Sequence, residues 1–552
     1  MSAARQKLAQ IQMQVMWNRL ISVVEEQAQT LVRTAFGAAT REAGDLSAGV
    51  FLPDGRMVAQ AVTGTPGHVN SMAESVKHFL AAYPLHTLCE GDVLVTNDPW
   101  KGTGHLNDFT MVTPVFRGKL TKRVVALFAS TVHVVDIGGI GYGADGLQVY
   151  HEGLFVPIVK LVEAGRISET VLKVVRANVR EPVQVEGDLY ALVACNEIGG
   201  RRLTAMMNEY GLRDINALGE FIIERSRTAM LAAVRAWPAG EWDSAMTIDG
   251  FDTPIELKAR LTISRSGIDI DFTGTSPVSP RGINVPKSYT DAYTSFGVRC
   301  IIGAQVPNNA GSLSVVRVSA PQGCILNAPH PLAVAARSNV GQMLPDVVFG
   351  CLRQARPDQV PAEGTSALWN IRLGSVPGPD QRPFFVVGFN TGGTGARPAQ
   401  DGLSVTSFPS GIRNVSLEIM ETISPLLFWQ KQYRPDSGGA GQYRGGLGQV
   451  IEVEHSGKAP MALAATFDRM IYPARGAAGG HDGATGRVRL KSGQLLKGMG
   501  RQIVPAGDRL IVETPGGGGV GSPKLRSPEA VRADIALGLV SAPLVKLRNK
   551  RR

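Results

Sequence analysis

Two short polar segments, each next to an apolar β-like run, are the most informative feature of this sequence. The first covers residues 97–108 and contains His105 and Asp108. The second begins near His133, after residues 123–131, whose apolar and β-branched side chains are typical of a buried strand. Polar residues at such strand ends either face a cleft or carry an unmet desolvation cost. With nine histidines in 552 residues, their grouping here is informative.

The residue types in these segments predict a divalent-metal site. Neutral imidazole and carboxylate groups together suit zinc or manganese. His105 and Asp108 are three residues apart, so both side chains can converge from one loop or helical turn, and His133 would arrive from the next strand. The competing interpretation is that both histidines are core residues paired with neighbouring groups. The cluster of three favours the metal.

Length and composition indicate a globular protein with more than one lobe. A chain of 552 residues exceeds the size at which a single core keeps growing. It has 64 glycines but also 44% hydrophobic residues, which points to many tight turns rather than to disorder. The five cysteines form no Cys-x-x-Cys pair, which argues against a disulfide framework and a zinc ribbon.

The net charge of +10 does not indicate a nucleic-acid partner. Part of the excess lies in the basic residues 545–552, which are typical of a solvated tail. No zinc-finger or helix-turn-helix pattern is present, and basic residues are not interleaved with aromatic ones. Because no apolar stretch reaches the length of a membrane span and no signal-peptide core is visible, we expect a cytoplasmic protein without a membrane partner.

The pattern along the chain predicts an α+β fold with mixed or antiparallel sheets and several lobes. Local signals predict a helix over residues 5–36, a hairpin over residues 45–60 turned by Pro-Asp-Gly, and antiparallel strands over residues 245–275. The proposed divisions are an α/β lobe at 1–156 carrying the metal motifs, a helical segment at 157–240, an α+β lobe at 241–430, a β-rich and glycine-rich part at 431–540 and the basic tail at 541–552.

Two further helices are predicted. Ser71 and Glu74 have the spacing of a capping box, in which hydroxyl and carboxylate satisfy free amide groups, so we expect a helix to begin there and to end near Tyr83. A second helix is expected over residues 332–356.

The glycine run at residues 516–521 resembles a phosphate-binding loop only superficially. It lacks the Lys-Ser/Thr pair of a P-loop, and it lies near the C-terminus rather than at the start of a βαβ unit. We therefore expect these glycines to serve positive φ angles or close backbone packing. A serine hydrolase is also disfavoured, because no Gly-x-Ser-x-Gly elbow is present.

Motifs spread over nearly the whole chain resemble those of the hydantoinase B family. They occur in order at residues 45–60, 71–76, 91–99, 105–108, 133–139, 282–286, 307–311, 434–448 and 513–519. The segment around His105 departs from several relatives at Gly104 and Asn107.

This resemblance implies one subunit of an ATP-dependent enzyme. Its partner would be a hydantoinase A-type subunit that binds ATP and Mg²⁺ in an actin-like kinase fold, so a hetero-oligomer is expected. Relatives include N-methylhydantoinase, 5-oxoprolinase and caprolactamase, which open cyclic amides, and the acetone and acetophenone carboxylases. Chain length favours the hydrolases. The alternatives are an ATP-dependent ketone carboxylase subunit and a non-catalytic structural partner.

The resemblance also implies roles for particular residues. The metal site, which is also the catalytic centre, maps onto His105, Asp108 and His133. Asp45 is a further candidate ligand, although it could instead cap the turn before its strand. Substrate-binding or supporting positions map onto His68, Asp98 and Asp136, and Asp136 could orient a histidine and raise its basicity.

Overall fold

Four β-sheets and the helices packed on them give this chain the α+β fold expected from its sequence. The computed structural model describes residues 3–118, 121–376 and 383–542. In this part of the chain one sheet has seven strands and three sheets have four strands each.

The seven-stranded sheet dominates the N-terminal part of the chain. Its elements and neighbours are α1 (Ala3–Thr34), α2 (Ala38–Arg41), β1 (Leu46–Phe51), β2 (Met57–Gln60), α3 (Pro66–Ala82), β3 (Val93–Thr96), β4 (Asp108–Arg117), β5 (Arg123–His133), α4 (Val149–Glu152), β6 (Val159–Glu163) and β7 (Arg166–Ile167). The strand order is β2-β1-β5-β4-β3-β6-β7, and every neighbouring pair is antiparallel. Strands β6 and β7 extend this sheet beyond residue 156, where a boundary was expected.

Helices cover both faces of this sheet because β5 is apolar on both sides. Phe128 packs in the cluster that contains residues of α1, and Leu127 packs in the cluster that contains residues of α3. Successive side chains of a strand point to opposite faces, so each face receives alternate residues. The long helices that follow are α5 (Glu169–Asn178), α6 (Pro182–Glu209) and α7 (Asn216–Arg235), and α6 packs against α1 and β5.

The predicted N-terminal helix and hairpin are confirmed, but the predicted capping box is not. Helix α3 begins at Pro66 after Thr65, five residues before Ser71. Ser71 therefore lies inside the helix, where its hydroxyl donates to the carbonyl of Ser288. Proline at the first helical position provides the actual start signal.

A second sheet forms the middle of the chain. It is built from β8 (Gly240–Ile248), β9 (Ile255–Ser264), β10 (Gly267–Asp271) and β11 (Val316–Ser319), in the order β11-β10-β9-β8, with α8 (Lys287–Ile301), α9 (Ala310–Leu313), α10 (Ser338–Gly341) and α11 (Leu344–Ala355) beside it. The predicted antiparallel strands are confirmed. The helix expected over residues 332–356 begins only at Ser338, because the preceding residues form a loop that reaches the candidate site.

Two four-stranded sheets and a terminal helix complete the chain. Their elements are β12 (Ile371–Ser375), β13 (Phe385–Gly388), α12 (Leu417–Ile423), β14 (Leu426–Tyr433), β15 (Gln449–His455), β16 (Met461–Thr466), β17 (Arg487–Leu490), β18 (Met499–Val504), β19 (Leu510–Glu513) and α13 (Pro528–Ala536). The orders are β13-β12-β16-β18 and β14-β15-β19-β17. The β-rich C-terminal part is confirmed. The tail from residue 543 onward lies outside the described residues.

The glycine run at residues 516–519 packs directly against other backbones. A Cβ atom on Gly516 would lie 1.8 Å from the carbonyl oxygen of Ser437, and one on Gly517 would lie 1.9 Å from that of Thr394. The amide N–H of Gly517 donates to the carbonyl of Gly446 at 3.0 Å. Among residues 516–521 only Gly521 has a positive φ, so close packing is the reason for glycine at 516–519.

Replacing Gly517 by alanine is expected to lower the free energy of unfolding by at least about 3 kcal/mol, because the new methyl group meets backbone that cannot rotate away. The matched control is Gly457→Ala, at an exposed turn where the nearest atoms, 3.3 Å away, belong to the side chain of His455. This control should stay within about 1 kcal/mol of the native chain. Urea unfolding measures both, and equal stabilities would contradict the packing argument.

None of the helices within the described ranges is long and apolar enough to cross a bilayer. The five cysteines, all inside those ranges, are unpaired, as their spacing indicated.

Candidate metal centre

The two polar segments meet at one end of the seven-stranded sheet. Strand β4 begins at Asp108 and β5 ends at His133, and the antiparallel register places these residues directly opposite each other. Asp45 immediately precedes β1, and its carbonyl accepts the amide N–H of His133 at 3.3 Å. Because β1, β5 and β4 are adjacent, the sheet itself collects these side chains.

His105, Asp108 and His133 form a buried cluster. His105 Nε2 lies 2.7 Å from Asp108 Oδ1, and His133 Nδ1 lies 3.0 Å from the same oxygen. The two imidazole nitrogens are 3.2 Å apart. One donor atom from each residue thus points at a common position, and none of the three residues is more than 3% exposed.

The contacts of His105 direct the Nε2 lone pair at this position, as a metal ligand requires. Its Nδ1 lies 2.9 Å from the carbonyl oxygen of Ala335, which can only accept, so Nδ1 carries the proton. Burial and the nearby Arg337 lower the pKa of His105 to about 3, so the ring is neutral near pH 7 and Nε2 presents a lone pair. A lone pair facing a carboxylate oxygen at 2.7 Å is stabilised by a cation bound to both.

The separations and donor types fit zinc or manganese. In a tetrahedral zinc site with bonds of about 2.0–2.1 Å, ligand atoms lie roughly 3.3 Å apart. The three separations here, 2.7, 3.0 and 3.2 Å, are close to that value. Three protein ligands also leave a coordination position for water or substrate, as catalytic sites require. The residues present therefore fit the metal that the family resemblance implies.

The second carboxylate oxygen of Asp108 is held by other groups. Oδ2 accepts hydrogen bonds from the Thr103 hydroxyl at 2.8 Å and from Arg337 Nη2 at 2.6 Å, and His68 Nε2 lies 3.0 Å away. Burial alone would raise the pKa of Asp108, but the two groups beside Oδ2, His68 and Arg337, hold it well below its usual range. The carboxylate is thus ionised and fixed, with Oδ1 left to face the two histidines.

Arg337 is positioned by three contacts that the sequence did not reveal. Besides Asp108, it donates from Nε to the carbonyl of Thr103 at 2.9 Å and stacks 4.1 Å from the ring centroid of Tyr289. Gly104, with a φ of +101°, gives it room, since a Cβ there would lie 2.5 Å from Arg337 Nε. One feature of the sequence could have identified it, because Arg337 is the only charged residue between positions 331 and 345.

His68 and Asp45 lie beside the cluster rather than within it. His68, near the start of α3, bridges the two carboxylates, with Nε2 3.0 Å from Asp108 and Nδ1 3.5 Å from Asp45. Burial lowers the pKa of His68, but the carboxylates of Asp108 and Asp45 outweigh it and raise the pKa overall. Asp45 accepts a hydrogen bond from the Thr65 hydroxyl at 3.0 Å, so its contacts secure the start of α3.

The structure does not bring Asp98 and Asp136 to the cluster. Asp98 accepts the amide N–H of Trp100 at 2.9 Å, as in a local turn. Asp136 pairs with Arg180, whose Nη1 lies 2.7 Å from Oδ1, and it contacts no histidine. Like the residues of the cluster, both aspartates lie near a strand end. The side chain of Asp98 closes a local turn, and that of Asp136 forms an ion pair.

A small cavity adjoins the cluster and is closed by residues from distant parts of the chain. His68, His105 and His133 line it together with Tyr142, Tyr289 and Asn370. The ring centroid of Tyr142 lies 5.5 Å from that of His105 and 5.2 Å from that of His133. No local pattern around Tyr142 or Asn370 marked them in the sequence.

Glu152 holds the loop that contacts His105, and its titration should make the stability of the protein depend on pH. One of its oxygens accepts the amide N–H groups of Val334 and Ala335, both at 2.7 Å, which fixes the loop whose carbonyl contacts His105. Burial raises the pKa of Glu152 to about 8, although the two amide donors oppose this. The folded chain therefore keeps this proton up to a higher pH than the unfolded chain, where the group titrates near 4.5.

The folded state thus binds more protons than the unfolded state between these two values, and Glu152 makes stability fall as pH rises from 4.5 towards 8. The slope is at most about 1.4 kcal/mol per pH unit. Glu152→Gln should remove this contribution, which urea unfolding across that pH range measures. Glu529→Gln, at an exposed position on α13, serves as the control. A Glu152→Gln variant that keeps the native slope would contradict the assignment.

Comparison with known proteins identifies the family of this chain. Residues 9–523 match the family model described as Hydantoinase B/oxoprolinase. The B subunit of a putative D-/L-hydantoinase from Pseudomonas sp. (strain NS671) is 27% identical over 97% of this chain and 94% of that protein. The beta subunit of the caprolactamase from Pseudomonas jessenii is 29% identical over 96% and 94%. The 5-oxoprolinase 1 of Arabidopsis thaliana is 30% identical over 93% of this chain, which spans 42% of that longer protein.

Two solved structures share the fold. The ATP-dependent caprolactamase of Pseudomonas jessenii superposes with a TM-score of 0.86 at 26% identity, covering 96% of this chain and 94% of that chain. The nucleotide-free acetone carboxylase gives a TM-score of 0.84 at 19% identity, covering 96% and 78%, which is a likeness of fold alone. Because the family match extends over residues 9–523, which is almost the whole chain, this protein belongs to the hydantoinase B/oxoprolinase family.

Proposed function

We propose that this chain is the metal-bearing subunit of an ATP-dependent hydrolase that opens cyclic amides such as hydantoins, 5-oxoproline or lactams. It acts in a hetero-oligomer with a hydantoinase A-type subunit that binds ATP and Mg²⁺. The observation that carries the proposal is the convergence of His105 Nε2, His133 Nδ1 and Asp108 Oδ1 on one buried position.

The names of the relatives support both the reaction and the partner. The hydantoinase and caprolactamase relatives are covered almost end to end by this chain, and both names describe one subunit of an assembly. The 5-oxoprolinase is longer, so its activity belongs to a protein of which this chain matches one part. Hydantoins, 5-oxoproline and caprolactam share a ring amide, which is the proposed substrate class.

A larger cavity next to the cluster supports a small ring as substrate. It has a volume of about 630 Å³ and includes His133 among its lining residues. Its lining is mixed, with Phe384 and Phe389 among the apolar residues and Arg41 and Glu181 among the polar ones. This size and lining are usual for pockets that bind small molecules.

The chain's own residues prepare the cluster for catalysis. His105, Asp108 and His133 would hold zinc or manganese, which when bound polarises a carbonyl group or lowers the pKa of a coordinated water. The carbonyl of Ala335 keeps the Nε2 lone pair of His105 directed inward. Arg337 and Thr103 keep Asp108 ionised and oriented. Burial of all three ligands strengthens electrostatic interactions at the reacting bond.

The proposal is tested by coexpressing this chain with a hydantoinase A-type subunit and measuring ATP hydrolysis and product formation. The substrate panel contains hydantoins, lactams and aryl ketones, with and without labelled bicarbonate. Ring opening that requires ATP, both subunits and the bound metal is the expected result. Incorporation of bicarbonate into a ketone product would instead establish a carboxylase. Full activity from a metal-free complex would reduce this chain to a structural partner.

A further inference from the structure

Arg372 is a buried cation that has no carboxylate partner within residues 3–118, 121–376 and 383–542. It lies on β12, is 1% exposed and places its guanidinium carbon 3.9 Å from the ring centroid of Tyr142. One of its N–H groups donates to the hydroxyl of Thr466. Its Nε and Nη2 atoms are buried and have no hydrogen-bond partner in the part of the chain that the structure describes.

The other buried arginines of the described chain differ from Arg372 in this respect. Arg337 pairs with Asp108 at 2.6 Å, Arg469 with Glu363 at 3.3 Å and Arg444 with Asp534 at 3.5 Å. Burying a charge is costly unless it is paired and hydrogen-bonded, so each of these three follows the general rule. Arg444 and Arg469 each have a carboxylate partner and leave only Nε without a hydrogen bond, whereas Arg372, within the described residues, has no carboxylate partner and leaves both Nε and Nη2 unpaired. Buried donors of this kind normally have an acceptor, which is missing here.

The position of Arg372 connects it with the metal centre. The Tyr142 ring on which it stacks packs against the imidazoles of both His105 and His133. Asn370, immediately before β12, lines the cavity of the cluster. Its buried Oδ1 atom has no hydrogen-bond partner among the described residues. Arg372 and Asn370 thus both carry unpaired polar atoms next to the site.

The chemistry of a guanidinium with two free N–H groups selects its ligand. Such a group matches the two oxygens of a carboxylate or a phosphate, with which it forms strong, directional hydrogen bonds. We propose that Arg372, held by Tyr142, binds an oxyanion group one aromatic ring away from the His105–Asp108–His133 cluster. Assigning this anion to the substrate rests on the proposed function. The oxyanion is either a carboxylate carried by the cyclic amide or the phosphate supplied by ATP.

Equilibrium binding to the purified full chain tests the proposal without turnover. The chain is treated with a chelator, so that no metal contributes, and titrated calorimetrically with 5-oxoproline, with 2-pyrrolidinone and with inorganic phosphate. 5-Oxoproline and 2-pyrrolidinone differ only in the carboxylate. Arg372→Met should weaken binding of the anion at least about tenfold, because hydrogen bonds to a charged group are lost. If Arg372→Met loses binding of 5-oxoproline, the anion is a carboxylate of the substrate. If it loses binding of phosphate, the anion is the phosphate supplied by ATP.

The chain offers a matched control in Arg509. Its guanidinium carbon also lies 3.9 Å from an aromatic ring centroid, that of Trp429, but it is paired with Glu452 and Glu454. Arg509→Met should leave anion binding unchanged. Arg372→Lys keeps the charge but loses the planar guanidinium, so its affinity for the anion should lie between that of the native chain and that of the Arg372→Met variant.

Thermal stability separates a binding role from a structural one. Removing an uncompensated buried charge should leave the melting temperature of Arg372→Met unchanged or raise it, whereas loss of a structural arginine would lower it.

Two results would overturn the proposal: neither anion binds the native chain, or both bind the Arg372→Met and Arg372→Lys variants as tightly as the native chain. Anion binding that depends on Arg372 in a complex without ring-opening activity would leave this site standing while the proposed function fails.

Discussion

Replacement of His105 or His133 by alanine is expected to abolish metal binding and turnover together. Each change removes one of three donors that converge on a single position. The loss of a direct ligand should exceed the 10- to 100-fold effect of outer groups on affinity, so we expect a decrease of more than about 100-fold in both metal affinity and turnover. Elemental analysis and the coupled ATP assay on the assembled complex measure the two quantities.

His86→Ala is the matched control, since His86 is exposed in the short 3₁₀ turn at residues 85–87. It should retain the native metal content and turnover. Metal retained at the native level in both His105→Ala and His133→Ala would sink the metal assignment. Metal lost without any loss of turnover would instead assign the cluster a structural role.

Replacement of Arg337 by methionine is expected to lower the free energy of unfolding by about 3–5 kcal/mol, because the buried carboxylate of Asp108 loses its cationic partner. Arg337 also lowers the pKa of His105. Its removal should raise that pKa, so protons compete better with the metal and metal binding weakens further as pH falls. Urea unfolding and metal titrations at several pH values check the two effects.

Arg260→Met supplies the comparison for this effect. Arg260 pairs with Asp243 at 2.8 Å, but the two side chains are 60% and 69% exposed. Exposed ion pairs contribute about 0–1 kcal/mol, so this variant should be close to the native chain. If Arg337→Met lowers the free energy of unfolding no more than Arg260→Met does, the buried Arg337–Asp108 pair does not stabilise the protein.

The convergence of His105, Asp108 and His133 is predictable because its signals are local. Apolar runs ending in polar residues marked β4 and β5, and antiparallel pairing then placed Asp108 opposite His133. The hairpin at residues 45–60 followed from its Pro-Asp-Gly turn in the same way. The family resemblance added His68, which lies beside the cluster, and Asp98 and Asp136, which do not. A polar residue near a strand end carries no information about the direction of its side chain.

The α+β class, the main strands and helices, and the three converging donors can be predicted from the amino-acid sequence, because periodicity and turn chemistry act between neighbouring residues. The groups that surround those donors are brought there by the folding of distant segments. Arg337 reaches Asp108 across 229 positions, and Glu152 fixes the loop at Ala335 across 183. The tautomer of His105 and the unpaired donors of Arg372 likewise depend on burial against distant segments. Burial sets the energy of a charge, and no local pattern encodes which charges become buried together.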